Sequence, residues 1–377
     1  MSPLARGLRI VAIGGGTGLE SLLRGLKVYL DRNRVKKGLP YLESLTAIVT
    51  VADDGGKSGK LIDEFGILPP GDIRGSLAAL SDEEGLISKL FRLRLTGGGE
   101  LGGHSFGNLF LTALIQMNNG NFLKAIKDAS KVLRVEGVIL PATLDNVILC
   151  AELEDGRILK GEAEITNVNH APIRKIFFSK RENKGDGGKP EEYLAHPLRE
   201  ATNAILSSDA IVIGPGGLYT SVIPNLLVKG ISRAVFNSKA RKIYIGNIMT
   251  QAGRTTGYSL SDHIRKLMEF GGFRLDYVLV NNRKIPSEIM KKYEQEGSTQ
   301  LFFDPEKSDV SSVVKFSNGD HITLVEGTII IEAPLVKEVE EESIRKIDDK
   351  EEVEKKVVIR HDHEKLANVL MDILESI

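Results

Sequence analysis

The chain has 377 residues, 50 Lys and Arg against 51 Asp and Glu, and a formal net charge of −1. That length holds one large α/β domain, or one domain with an appended piece, and the near-neutral balance disfavours nucleic acid or an anionic membrane as the main partner. A single cysteine, Cys150, excludes an internal disulfide framework and suits a reducing compartment, and no apolar run reaches the ~20 residues that cross a bilayer.

The N-terminus shows no signal-peptide pattern, and a cytoplasmic protein is expected. Residues 9–24 read RIVAIGGGTGLESLLR. A β-branched run breaks into Gly14, Gly15, Gly16, Thr17 and Gly18, and then into a helix on which Leu19, Leu22, Leu23, Leu26 and Leu30 recur at helical spacing. These glycines bring bare N–H groups up to an anion, and the helix points its positive end at the same spot, so a phosphate site is expected. The competing reading is a turn kept glycine-rich for close strand–helix packing. Leu45 to Val51 predicts a second strand, ending in Ala52, Asp53, Asp54, Gly55, Gly56, Lys57, Ser58 and Gly59. Pro69-Pro70-Gly71-Asp72 breaks the chain, and Asp72 is suited to cap a helix from Ile73 to Leu80. The glycine-rich loop Thr96 to Gly103 delivers His104, Ser105, Phe106, Gly107 and Asn108 to the start of an apolar helix.

Two β-rich runs flank Glu154-Asp155-Gly156, a hairpin signal, and predict an antiparallel excursion over about 147–178. Glu182 to Pro190 is a polar, glycine-rich, solvated loop. A helix over Leu198 to Leu206 leads to a strand over Ala210 to Ile213 and the loop Gly214, Pro215, Gly216, Gly217, Leu218, Tyr219, Thr220. A strand over Lys242 to Ile245 runs into Gly246, Asn247, Ile248, Met249, Thr250 and Gln251, and another over Tyr277 to Val280 ends in Asn281-Asn282. From Glu338 to Lys356 the chain is dominated by Glu, Lys and Asp, as a solvated helix or an extended arm would be. A strand, Val357 to Arg360, and a helix, Lys365 to Leu374, close the chain, the helix carrying Leu366, Val369, Leu370, Ile373 and Leu374 as one apolar stripe.

This alternation of strands and helices predicts an α/β fold with a parallel sheet covered on both faces. The loops after its strands would then converge on one pocket at the carboxyl ends. Two familiar motifs nearly match and fail. Leu19 stands where G-x-G-x-x-G needs its third glycine, and Asp53 follows the loop by ~35 residues rather than ~20. Gly56-Lys57-Ser58 looks like the end of a P-loop, but Val51 occupies the place of its first glycine. Asp53 and Asp54 suit Mg²⁺ beside phosphates, a ribose or base contact, or a plain strand-end turn. Gly55, Gly56 and Gly59 with Ser58 would form a second anion cradle. His104 is either a general acid or phosphate donor, or a structural cap. His361-Asp362-His363 is disfavoured as a metal site because alternating positions point apart, and Cys150 is expected to be simply buried.

Taken together, Ile13 to Gly18, Val51 to Gly56, Pro69 to Arg74, His104 to Asn108, Gly214-Pro215-Gly216, Leu218 to Ser221, Met249-Thr250-Gln251 and Ile359 to Asp362 resemble the YvcK, or gluconeogenesis factor, family. That family lies in the same superfamily as 2-phospho-L-lactate transferase, CofD. The resemblance runs through nearly the whole chain in order. It implies a Rossmann-like, doubly wound, mostly parallel sheet with helices on both faces and the β-hairpin excursion. The implied division is 1–336 as a CofD-like nucleotide-sugar-binding domain, 337–356 as a charged insertion, and 357–377 as a strand and helix packing back on the core. It also implies a cytoplasmic protein that binds UDP-sugars such as UDP-N-acetylglucosamine and serves morphogenesis and wall synthesis during gluconeogenic growth; a homo-oligomer and a regulatory protein partner are expected besides.

Carried onto this sequence, the first glycine loop and Gly214 to Gly217 would hold the diphosphate. Asp53 and Asp54 would sit by the phosphates or ribose, and Asn108, Asn247 and Thr250 would fix orientation. Arg360 would contact the nucleotide or sugar, and Tyr293 would stack on the uracil. Gly55, Lys57, Ser58, His104, Ser105, Tyr219, Thr220 and Gln251 complete the expected lining. The chain departs from the family pattern at Lys57 and Gly217, where serine is usual, and at Ala252 and Arg254, where proline and glutamate follow the Met-Thr-Gln. Extra cations near the phosphates would strengthen anion binding or alter which nucleotide sugar is preferred. The leading expectation is a ligand-binding regulator with no firm cofactor. The alternative is a CofD-like transferase of a phosphate-linked group, with Mg²⁺ on Asp53 and Asp54 and with His104 in the chemistry. A nicotinamide-dependent oxidoreductase rests on the glycine loop alone.

Overall fold

The first strand, a run of β-branched residues, is an inner strand of the sheet, at the point where the strand order reverses. In the computed structural model β1 (Leu8–Gly14) pairs in parallel with β2 (Leu42–Val49) on one side and β7 (Ala210–Ile213) on the other. The structure describes residues 7–31, 33–36, 38, 40–82, 86–97, 99, 101–167, 171–181, 188–304, 310–315, 321–347 and 350–376. The central part, 182–187, of the polar loop and the side chains of Lys57 and Ser58 lie outside the described residues. With β3 (Val138–Pro141), β8 (Arg241–Ile245), β9 (Tyr277–Asn281), β10 (Val310–Lys315), β11 (His321–Val325) and β12 (Thr328–Ala333), the sheet has nine strands in the order β10-β11-β12-β9-β8-β7-β1-β2-β3. In that order the seven strands β12, β9, β8, β7, β1, β2 and β3 run parallel, and β11 and β10 close one edge antiparallel.

Alternate side chains of β1 feed two cores, as a strand buried on both faces must. Ile10 and Ala12 join one core with α1 (Gly16–Lys27), α2 (Gly56–Phe65), α3 (Gly71–Leu80), α4 (Phe106–Met117), α5 (Phe122–Val132) and, from the far end of the chain, α11 (His363–Glu375). Val11 and Ile13 join the other, with α6 (Arg199–Ser207), a π turn (Leu218–Val222) running into α7 (Ile223–Leu227), α8 (Lys229–Asn237) and α9 (Leu260–Gly271). The doubly wound α/β architecture is therefore as expected.

The predicted hairpin is present. β4 (Val147–Leu153) and β5 (Ile158–Lys160) pair antiparallel around Glu154-Asp155-Gly156, and β6 (Ile173–Lys180) adds to the other edge of β4. Cys150 is buried in β4, and burial pushes its thiol up to about 11. The charged stretch is extended rather than helical. β13 (Val336–Ile347) and β14 (Lys350–His361) form an antiparallel ribbon whose register sets Glu341 against Lys356 and Val336 against His361. At its root Val336 and Ile359 meet Ile248 and Ile285 in a small third core, which α10 (Ser287–Gln295) borders. None of the described helices is long and apolar enough to cross a membrane.

Candidate functional site

The order of strands reverses between β1 and β7, and in an open α/β sheet the crevice at such a switch point takes the ligand. Two glycine loops leave the sheet here. The Gly14 carbonyl accepts from the Thr50 N–H and from the Asn225 side chain, both at 3.1 Å. Gly16 has φ +65°, a conformation that favours glycine, and its N–H donates to the Asp72 carboxyl. A Cβ on Gly18 would lie 2.6 Å from the Pro215 carbonyl oxygen. The loops are thus packed face to face. Close packing explains Gly18, and an internal carboxyl already occupies the Gly16 N–H.

Asp72 does not cap its own helix. The cap position is Pro70, which offers no side-chain acceptor, and Asp72 lies in the first turn and reaches across to the glycine loop. Part of its side chain reaches the surface, yet protein atoms surround it closely. Desolvation, with the charge of Asp53 nearby, pushes its carboxyl up to about 8. Near it lies a half-buried pair of opposite charge, Glu20 and Arg74. Burial raises Glu20 and lowers Arg74, and the two oppose these shifts in each other by their charges.

The space in front of the loops is a cavity of ≈ 490 Å³. It gathers Thr17, Gly18, Pro215, Gly216, Gly217, Asn247, Thr250, Gln251, Tyr293 and Arg360 from the expected set, together with Met249, Arg254 and His361. Several of these also hold the walls in place. Asn247 donates to the Gly216 carbonyl at 2.8 Å and accepts from the Tyr244 hydroxyl at 2.9 Å. That hydroxyl also meets Nδ1 of His263 at 3.0 Å, and burial pushes this histidine down to about 4, so the chain ends on a neutral ring. The Thr250 hydroxyl accepts from the Thr299 N–H at 2.8 Å. The Tyr293 hydroxyl accepts from the Ile359 N–H at 3.0 Å, tying α10 to β14. Arg360 forks onto Glu341 across the ribbon at 2.8 and 2.7 Å, the bidentate geometry that guanidinium favours.

Other expected residues lie outside that lining. Gly14, Gly15, Gly16 and Gly214 form the loops' inner sides. The Asp53 carboxylate accepts from the Gly55 N–H at 3.1 Å. Asp54 accepts from the Glu162 N–H at 2.7 Å and pairs with Arg181 at 3.2 Å in a largely covered bridge. Both Asp54 oxygens are therefore engaged by partners within the chain. Ser105 caps α4, accepting from the Asn108 N–H at 3.1 Å, and His104 is buried beside it. Tyr219 and Thr220 are buried, and the Tyr219 hydroxyl meets that of Tyr258 at 2.8 Å. Asp362 caps α11, and the His363 ring meets the Lys337 amine at 2.9 Å, so residues 361–363 do point apart. Among the described residues no group of three or more His, Cys, Asp or Glu is placed to hold a metal ion.

Sequence reasoning missed Glu162 and the roles of Asp72 and Arg254. Glu162 arrives from the hairpin excursion, more than a hundred positions after Asp53. Burial and a hydrogen bond with Asp53 raise its carboxyl far above the ordinary carboxylate range, so it keeps its proton against that neighbour. No local motif marks such a partner.

Fold and cavity together define a Rossmann-like α/β protein with a cavity at the switch point between two glycine loops. The family described as 2-phospho-L-lactate transferase CofD matches residues 10–318. The gluconeogenesis factor of Bacillus subtilis is 40% identical over 369 residues, 98% of each chain. A relative from Nostoc sp. is 48% identical over 305 residues, and there the match covers 80% of this chain but 61% of the relative's own length. A crystal structure of a upf0052 family member from Bacillus halodurans superimposes with a TM-score of 0.74 at 40% identity, covering 96% of this chain and 98% of that one. The chain belongs to the CofD family, on its gluconeogenesis factor branch.

Proposed function

We propose that this chain is a nucleotide-sugar-binding regulator. Its cavity takes a UDP-sugar, UDP-N-acetylglucosamine first, and occupancy alters a surface that a partner protein reads in the cytoplasm. The role that fits is control of morphogenesis and wall synthesis during gluconeogenic growth, in keeping with the name its relatives carry. The observation that carries this reading is the ≈ 490 Å³ cavity at the switch point, bordered by both glycine loops and closed by the root of the ribbon. Its size suits a ligand larger than a single phosphate, and Thr17 and Gly18, in the first turn of α1, border it. Because a ligand that binds only the folded state raises its melting temperature, UDP-N-acetylglucosamine is expected to do so with dose. A panel of UDP-sugars that leaves melting unchanged, while NAD raises it, would overturn the reading.

The second reading is a CofD-like transferase. The Asp53–Glu162 pair favours it, since Glu162, hydrogen-bonded to Asp53 and raised far above the ordinary carboxylate range, bears on Arg254 at the edge of the cavity and would supply a proton donor. Product analysis with Mg²⁺ and candidate acceptors separates the two: turnover of the nucleotide sugar would make the protein an enzyme.

A further inference from the structure

Of the charged side chains that line the cavity, Arg360 pairs with Glu341 and Glu296 with Lys356, whereas Arg254 has no direct ion-pair partner among the described residues. Arg254 closes a tight turn: its N–H and that of Thr255 both donate to the Gln251 carbonyl, at 3.1 and 2.8 Å, while the Gln251 N–H donates to the Thr255 hydroxyl at 2.7 Å. Thr255 is fully buried, so the turn is fixed from below and Arg254 borders the cavity with Gly216 and Gly217. Its Nε is buried without a hydrogen-bond partner, and among the described residues no carboxylate pairs with it. Burial pulls the guanidinium below its ordinary value, and the charge of Glu162, with which it makes no direct pair, acts the other way. A second group faces the same space unsatisfied. His361 is 6% exposed and lines the cavity, with one ring nitrogen bonded to the Gly246 carbonyl and Nε2 without a partner. A partly buried cation whose Nε has no partner and a buried ring nitrogen without one, both bordering one cavity, suit a polar, anionic ligand.

We propose that Arg254 is the anion-binding side chain of this cavity, closing an ion pair with a phosphate or other acidic group of a ligand seated against Gly216 and Gly217. The ligand's identity rests on the nucleotide-sugar reading above; the anion site does not. Two sources of the anion share this chemistry, the diphosphate and a carboxylate on the sugar. A purely structural role gives the opposite sign from a binding role, because a buried charge without a partner costs stability whereas a packed or paired one contributes it.

The test uses full-length Arg254→Gln and Arg254→Lys. Melting is followed without ligand, and affinity is measured by calorimetry for UDP-N-acetylglucosamine, UDP-glucuronate, inorganic pyrophosphate and uridine. Arg254→Gln is expected to melt no lower than wild type, to bind UDP-N-acetylglucosamine and pyrophosphate ~10- to 100-fold more weakly, as loss of a charged hydrogen bond implies, and to leave uridine unchanged. Arg254→Lys is expected to recover part of the loss. An equal loss for both UDP-sugars places Arg254 on the diphosphate, and a loss confined to UDP-glucuronate places it on the sugar carboxylate. Unchanged affinity for all three anions overturns the proposal while the nucleotide-sugar reading stands. Pyrophosphate binding that depends on Arg254, with no UDP-sugar binding, keeps the proposal and removes that reading. Binding of none of them by wild type, or a ligand-free Arg254→Gln that melts several degrees lower, overturns it as well.

Discussion

Asp72 shows how far a single residue's role can lie from its local signal. A carboxylate just after Pro-Pro-Gly reads as a cap, but the cap position falls on Pro70, and the side chain is left free to reach the Gly16 N–H of a loop far away in sequence. That tertiary bond, and the desolvation that comes with it, could not be read from spacing. It carries a pH signature. An unfolded chain ionises Asp72 near 3.8, whereas the folded protein keeps its proton up to about 8. Between those values the folded state binds the extra proton, so stability falls as pH rises. Asp72→Asn keeps an acceptor for the Gly16 N–H and has no charge to gain. Its melting temperature is expected to fall less steeply than that of wild type from about pH 4 to about pH 8, and to be higher at the upper end. Calorimetric scans at matched ionic strength check this, and parallel curves would remove Asp72 as the source.

At the scale of elements, periodic signals were legible and partner-dependent ones were not. The β-branched strand, the leucine stripe of α1 and the Glu-Asp-Gly hairpin all appear as local patterns, because one face or one turn dictates them. The ribbon does not, since its two strands pair only when Glu341 is set against Lys356, and each strand alone reads as solvated charge. The same distinction applies to the candidate site. The two glycine loops and Met-Thr-Gln were visible as strand-end motifs, whereas the locks that hold them, Asn247 on Gly216 and Tyr293 on Ile359, are contacts between elements. Gly18 tests the packing of the loops. An alanine Cβ would meet the Pro215 carbonyl at 2.6 Å, and the obstacle is backbone rather than a side chain able to swing away. Gly18→Ala is expected to cost ~1–3 kcal/mol in urea unfolding and to weaken ligand binding by forcing the loops apart. Gly188→Ala, which meets nothing within 4 Å, is the control and should stay within ~0.5 kcal/mol. A Gly18→Ala variant as stable as the control would show that the loops do not depend on this contact.

Across the whole molecule the last elements complete what the first begin. β14 supplies Ile359, Arg360 and His361 to a cavity that Thr17 and Gly18 also line, and α11, which follows it directly, joins α1 and α3 in one core. The helix that carries the first glycine loop is therefore braced by a helix from the other end of the chain. Leu370 is 0% exposed in that core. Leu370→Ala removes its packing and leaves a void between the two ends, so it is expected to cost ~2–5 kcal/mol. The unfolding transition should remain single, with the urea midpoint lowered and the slope unchanged, because no element is released ahead of the rest. A loss below ~1 kcal/mol would mean that the core collapses around the missing side chain without cost. A split transition would mean instead that the C-terminal helix unfolds separately and that the cavity's ribbon wall is not braced through it.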